Sequence, residues 1–270
     1  MKIHGFRFAG WAAFALGACI SGSVASAELR LMVEPSYSPK QAAEVYKPLL
    51  AYLAKATGHT FTLVAPRNYH FFWRDLRGNT PVDLMFCEAH FADFRIQRWN
   101  AVPLARTAEE TSYTLVTTGE NPDPTLRGML ARNIVTMSSP SLGYAMLVEF
   151  FPNPVAQPNI MSTATSWRDG LDTLYGGDAD AAMVPTALQQ QDPALVAIQT
   201  SREFPGAVFT ASGNLDPTIR DAVTKALLAL HEDPDSYEAL VELGVTQFEP
   251  ATAAEYAGSE QMLKEFFGYQ

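Results

Sequence analysis

LRLMVEPSYSPKQAAEVYKPLLAYLAKATG, residues 29–58, reads as a strand running into a capped helix. Leu29 to Val33 is short, apolar and without clean alternation, the pattern of a buried parallel strand. Ser38-Pro39-Lys40-Gln41 opens a helix. Ser38 caps, Pro39 stands where its missing N–H costs little, and Gln41 reaches back from the third helical position. Ala42, Val45, Leu49, Leu53 and Ala56 recur at three or four residues and make one buried stripe. Pro48 predicts a local kink and Gly58 the helix end.

The alternation continues with a strand over 60–65, a polar helix over 72–77, a strand over 82–87, a helix over 89–98 and an apolar run over 102–105. This β-α-β-α-β order predicts an open, largely parallel sheet covered by helices. Residues 112–118 read as an extended segment leaving that lobe, and Gly119-Glu120-Asn121-Pro122-Asp123-Pro124 is the strongest break in the chain. A second α/β series follows: strand 133–137, helix 141–151, helix 167–175 and strand 179–184. The run 207–212 returns to the first lobe, where Ile219, Val223, Leu227 and Leu230 stripe a further helix. Segments 236–243 and 253–267 close that lobe from outside. The expected division is 28–118 and 207–270 in the first lobe and 119–206 in the second. A cleft is expected at the carboxyl ends of the strands, where loops diverge and helix N-termini converge.

Residues 1–27 read as an export signal, with Lys2 and Arg7, an apolar stretch over 8–20, and Ala25-Ser26-Ala27 before Glu28. The apolar stretch is too short for a comfortable transmembrane span. Leu16-Gly17-Ala18-Cys19 offers a second outcome, a lipidated Cys19 that tethers the protein to a membrane. Cleavage at Ala27 takes 27 of 270 residues and leaves 243, enough for two modest domains. It removes two of the 19 basic residues and no acid, so 17 face 29 acidic ones and the net charge moves from -10 to -12. That balance, with no basic tract, excludes nucleic acid as a partner. Cys87 alone then remains, so there is no internal disulfide.

Three clusters carry possible chemistry. In Ser139-Pro140-Ser141-Leu142-Gly143-Tyr144, Ser139 is expected to cap the next helix with Pro140 first inside it. The amides of Ser141 and Leu142, two hydroxyls and the positive helix end are then available to an oxyanion; the alternative is that the serines satisfy only the turn. In Tyr69-His70-Phe71-Phe72-Trp73, Tyr69 is a candidate donor to an anion and the other rings are candidates for packing. Cys87-Glu88-Ala89-His90 combines a thiol, a carboxylate and an imidazole, a donor set for a metal or metalloid. The other reading makes Cys87 a small buried hydrophobe, Glu88 a helix N-terminal acid and His90 a donor to a ligand between the lobes. Without a phosphate loop, a Gly-x-Ser-x-Gly elbow, a His-Glu-x-x-His helix or a dinucleotide fingerprint, neither catalysis nor a cofactor is expected.

The order of the opening stretch, PVDLMFCEAHFADF (81–94), SSPSLGY (138–144), LYGGDADAAMV (174–184) and IRDAVTKALLAL (219–230) resembles the phosphate/phosphite/phosphonate-binding family of solute-binding proteins that serve ABC importers. The likeness covers essentially the whole mature chain. It implies a two-lobed periplasmic binding protein fold of type II-like form, each lobe a largely parallel sheet flanked by helices. It further implies a monomer that captures a small oxyanion such as phosphate, phosphite or a phosphonate and presents it to an inner-membrane permease.

Carried over by position, the resemblance makes Tyr37 the ligand-facing aromatic, 88–90 a cleft turn and 139–144 the anion loop. The family often has Ser-Thr-Ser-Gly-Tyr there, whereas Leu142 keeps an amide and loses a hydroxyl. Some members hold the amine of an aminoalkylphosphonate with carboxylates; the corresponding second-lobe neighbourhoods here, Ser166-Trp167 and 183–186, hold no acidic pair. The expected ligand set is Tyr37, Tyr69, His90, Ser139, Ser141, Leu142 and Tyr144. The alternative keeps the scaffold as a carrier, or as a sensor signalling to a membrane kinase, that binds a metal or metalloid through Cys87, Glu88 and His90.

Overall fold

A computed structural model of the chain describes residues 1–2 and 26–269. Cys19 and most of the expected export signal lie outside the described residues, among which no helix is long and apolar enough to cross a membrane.

The chain starts with β1 (Glu28–Val33), α1 (Pro39–Val45) and α2 (Lys47–Thr57). The Ser38–Gln41 capping box forms, and Gly58 ends α2 in the left-handed region at φ 73°. Pro48 does more than kink the helix: it sits in the first turn of α2, and Tyr46 separates two helices. Next come β2 (Thr60–Val64), α3 (Tyr69–Arg77), β3 (Leu84–Cys87), α4 (Ala89–Trp99) and β4 (Val102–Thr107). α3 starts earlier than expected because the Asn68 side chain accepts a bond from the Phe71 amide and draws Tyr69 and His70 into the first turn.

The second lobe holds β5 (Tyr113–Thr118), β6 (Asn133–Met137), α5 (Leu142–Phe150), β7 (Asn159–Ala164), α6 (Trp167–Tyr175), β8 (Ala181–Pro185), α7 (Thr186–Gln191) and β9 (Leu195–Thr200). β10 (Val208–Ala211), α8 (Pro217–Ala229), α9 (Glu238–Leu243), β11 (Phe248–Pro250) and α10 (Ala253–Tyr256) complete the first lobe. The six-stranded sheet runs β11-β4-β10-β3-β1-β2 and the five-stranded sheet β7-β6-β8-β5-β9.

Both sheets are mixed and not largely parallel. β1 is parallel to β2 and β3, whereas β10 is antiparallel to β3 and β4. In the other sheet β6 is parallel to β7 and β8, and β5 antiparallel to β8 and β9. The reason is topological. A chain that leaves a lobe along β4 and re-enters along the neighbouring β10 runs the two strands in opposite directions, and β5 with β9 repeats this across the gap. Because β5 pairs within the second sheet, the first crossing falls between Thr107 and Tyr113, ahead of the expected boundary at 118.

The two crossings are tied to each other. Thr111 and Phe204 exchange backbone bonds of 2.9 and 2.8 Å, and the Thr107 amide donates to the Ala207 carbonyl at 2.8 Å. On one face of the first sheet, Phe86 stacks on Phe209 at 4.4 Å, with Phe248 edge-on to both. On the other, Phe72 and Trp73 of α3 pack against Phe91 and Phe94 of α4, which accounts for most of the aromatic cluster at 69–73. These layers fix the ends of β1 and β3 beside the gap between the lobes.

Candidate functional site

β1 and β3 are adjacent and parallel, with Val33 opposite Phe86, and the Glu34 amide extends the ladder to the Phe86 carbonyl at 3.1 Å. The residues following the two strands therefore emerge side by side at the carboxyl edge. They are Glu34 and Glu88. Buried Tyr69 donates its hydroxyl to Glu34 Oε1 at 2.6 Å, and the Glu88 amide donates to Glu34 Oε2 at 2.8 Å. From the second lobe, the Tyr113 hydroxyl donates to Glu88 Oε1 at 2.5 Å. Glu88 Oε2 is closed off from solvent and has no hydrogen-bond partner.

Burial is the main cause that pushes both carboxyl pKa values above the ordinary 4.5. The charge of Glu34 adds to the rise at Glu88, while bonds from Tyr69 and the Glu88 amide oppose it at Glu34. Both oxygens of Glu34 already accept bonds, so the arrangement favours an ionised Glu34 and a proton on Glu88; the two titrate as a unit.

The pair lies in a cavity of about 350 Å³ walled by both lobes. Tyr37 lines it from the first lobe; burial raises its hydroxyl pKa, with the positive charge of Arg168 opposing and Glu242 adding to the rise. The second lobe contributes the start of α6. Ser166 caps that helix by accepting from the Asp169 amide at 3.1 Å, Trp167 packs on Tyr113 with centroids 5.1 Å apart, and Arg168 is exposed at the rim. The cavity thus has carboxyls on the first-lobe side and a guanidinium with a helix N-terminus on the other.

The structure distributes the expected ligand residues among three places. Tyr37 lines the cleft. Tyr69 stands behind it, its hydroxyl spent on Glu34. His90, Ser141 and Leu142 are fully buried where the lobes touch. His90 Nε2 lies 3.1 Å from the Pro140 carbonyl, an acceptor, so Nε2 carries the hydrogen; burial holds the imidazole pKa down to about 3 and the ring neutral. Ser139 and Tyr144 line a separate depression with the C-terminal segment, where Phe266 meets Tyr144 edge-on at 5.9 Å.

The helix end expected to stand open at 139–142 is covered. Ser141, not Ser139, is the cap: its hydroxyl accepts from the Tyr144 amide at 3.2 Å, and its own amide donates to the Ser138 carbonyl. Ser141→Ala is therefore expected to lower unfolding free energy by about 1 kcal/mol, the value of a helix cap, as measured by urea denaturation.

The metal reading is not supported. Cys87 is buried with its thiol pKa pushed well up, first by burial and then by the charge of Glu34, so the thiolate a soft metal needs is disfavoured. Among the described residues no three His, Cys, Asp or Glu side chains are grouped to hold an ion.

Residue spacing alone did not reveal Glu34, Tyr113 and Arg168. For Glu34 a signal exists, since two acids that end adjacent parallel strands must meet. For Tyr113 and Arg168 there is none, because they reach the cleft only through the approach of the second lobe.

Solved structures share this fold. PhnD1 from Prochlorococcus marinus in complex with methylphosphonate is similar at TM-score 0.76 and 14% identity, over 87% of this chain and 97% of that one. A binding protein component of an ABC phosphonate transporter from Pseudomonas aeruginosa gives 0.73 and 15%, over 88% and 85%. A Xanthomonas citri protein bound to ATP gives 0.67 and 16%, over 88% and 96%. No curated protein matches the chain. Residues 31–256 match the family described as "ABC transporter, phosphonate, periplasmic substrate-binding protein", and the chain belongs to that family of periplasmic binding components, which are not enzymes.

Proposed function

We propose that the chain binds a small phosphonate in the cleft between its lobes and delivers it to a membrane permease. The observation that carries this reading is the cavity itself, walled by Glu34, Tyr37 and Glu88 on one side and by Trp167 and Arg168 on the other, with two paired crossings as its back. A ligand that touches both walls gains contacts only when the lobes are together, so it favours the closed form. Arg168 and the amides at the start of α6 are the donors for the phosphonyl oxygens. The protein works as a monomer, since one chain supplies both walls. Export by loss of 1–27 belongs to the same reading, and the intact mass of mature protein distinguishes a Glu28 N-terminus from a lipidated Cys19.

The test is titration calorimetry with methylphosphonate, together with small-angle scattering. Methylphosphonate is expected to bind with compaction, and Arg168→Ala to weaken binding at least tenfold, about 1.4 kcal/mol. Unchanged scattering at saturation would remove the closure mechanism, and unchanged affinity in the variant would remove Arg168 from the site.

A further inference from the structure

Resting on that reading of the cleft, we propose that its first-lobe floor is a subsite for an alkylated ammonium group of the ligand, held by Glu34 and Glu88 among the rings of Tyr37, Phe86, Tyr113 and Trp167. All six residues line the one cavity.

Three observations support it. The first is the sign of the lining: Glu34, Glu88, Glu109, Glu110 and Glu242 face a single cation, Arg168. A bare dianion would meet like charge on most sides, whereas a ligand with a cationic end toward the floor and an anionic end toward Arg168 matches the walls. The second is Glu88 Oε2, buried with no partner. A cation beside it supplies the charge partner that no side chain provides.

The third observation distinguishes between kinds of cation. A primary ammonium has three N–H donors to satisfy. The acceptors here are largely committed: Glu34 already accepts from Tyr69 and the Glu88 amide, and Glu88 Oε1 from Tyr113. A quaternary ammonium donates no hydrogen bonds and needs only nearby negative charge and aromatic faces, and the cleft offers both. The ligand class is thus a phosphonate that carries a methylated amine. The subsite lies on the first lobe, away from the second-lobe neighbourhoods 166–167 and 183–186 where sequence comparison sought acids.

Calorimetry at pH 7.5 with four probes tests this: methylphosphonate, 2-aminoethylphosphonate, its N-trimethyl derivative, and choline. The trimethyl compound is expected to bind at least tenfold tighter than methylphosphonate and more tightly than the primary amine. Glu88→Gln is expected to erase that preference, and Trp167→Leu, the companion variant should Glu88→Gln misfold, to reduce it at least fivefold. Equal or tighter binding of methylphosphonate overturns the subsite and leaves the phosphonate reading standing. Tighter binding of the primary amine overturns the alkylated form, as does a preference that survives in both variants. Choline bound without any phosphonate supports the subsite and removes the phosphonate reading. Silence toward all four overturns both.

Discussion

Gly206→Ala will destabilise the protein by about 3 kcal/mol, at the upper end of what overpacking usually costs, and will also weaken ligand binding. Gly206 is buried at the second crossing. A Cβ there would collide with the carbonyl and hydroxyl oxygens of Thr107 and stand 2.5 Å from the Glu109 carbonyl. Backbone oxygens cannot swing aside like the end of a flexible side chain. They are also tied, because the Thr107 hydroxyl donates to the Glu109 carbonyl at 3.0 Å and its amide to the Ala207 carbonyl. Relief therefore requires the two crossings to part, which disturbs the Thr111–Phe204 pairing and the angle between the lobes. Gly119→Ala is the control, since nothing lies within 4 Å of its Cβ position. Urea denaturation and methylphosphonate titration on both variants check this. A Gly206→Ala protein as stable as the Gly119→Ala one would show that the crossings are not packed as described.

The elements whose ends are written in neighbouring residues were legible in the sequence. Ser38 with Gln41 and the left-handed Gly58 place the first helices to within a residue or two. The helix at 142–150 began later than expected because Ser139 and Ser141 are equally good caps locally, and the Ser141–Ser138 backbone bond decides between them. Strand direction was less legible. An apolar run such as 208–211 reads the same whether it pairs parallel or antiparallel, and only the double crossing sets its sense. The site was least legible. Glu34 and Glu88 are 54 residues apart and meet because β1 neighbours β3, a fact of strand order that residue spacing does not hold. Ser139 to Tyr144 carried the strongest local signal for anion binding, yet the packing of His90 against Pro140 turns that loop inward.

The carboxyl pair makes the largest electrostatic prediction: Glu88→Gln will be more stable than the parent, by an amount that grows with pH to about 1–4 kcal/mol, the range found when buried ionic groups are replaced. The sign follows from the direction of the shifts. Both groups have folded pKa values above the ordinary 4.5, chiefly through burial, so above pH 4.5 the folded parent holds protons that the unfolded chain has released. Stability is then full below 4.5 and falls as pH rises through the folded values. Glutamine at 88 removes one of the two titrations and the like charge on Glu34. It keeps an oxygen for the Tyr113 hydroxyl and places an N–H donor where Glu88 Oε2 has no partner. Glu34→Gln is expected to behave oppositely at low pH, because both Glu34 oxygens accept, and an amide NH₂ would face the Tyr69 hydroxyl or the Glu88 amide as a second donor. The other titratable groups against the pair, Tyr69 and Tyr113, have pKa values raised well above 10.0 and stay neutral through this window. Urea denaturation at pH 5, 7 and 9 measures the difference. Parallel pH profiles for the parent and Glu88→Gln would mean that Glu88 ionises freely in the fold, and the cleft floor would then be a solvated surface instead of the buried, proton-sharing pair derived from its contacts.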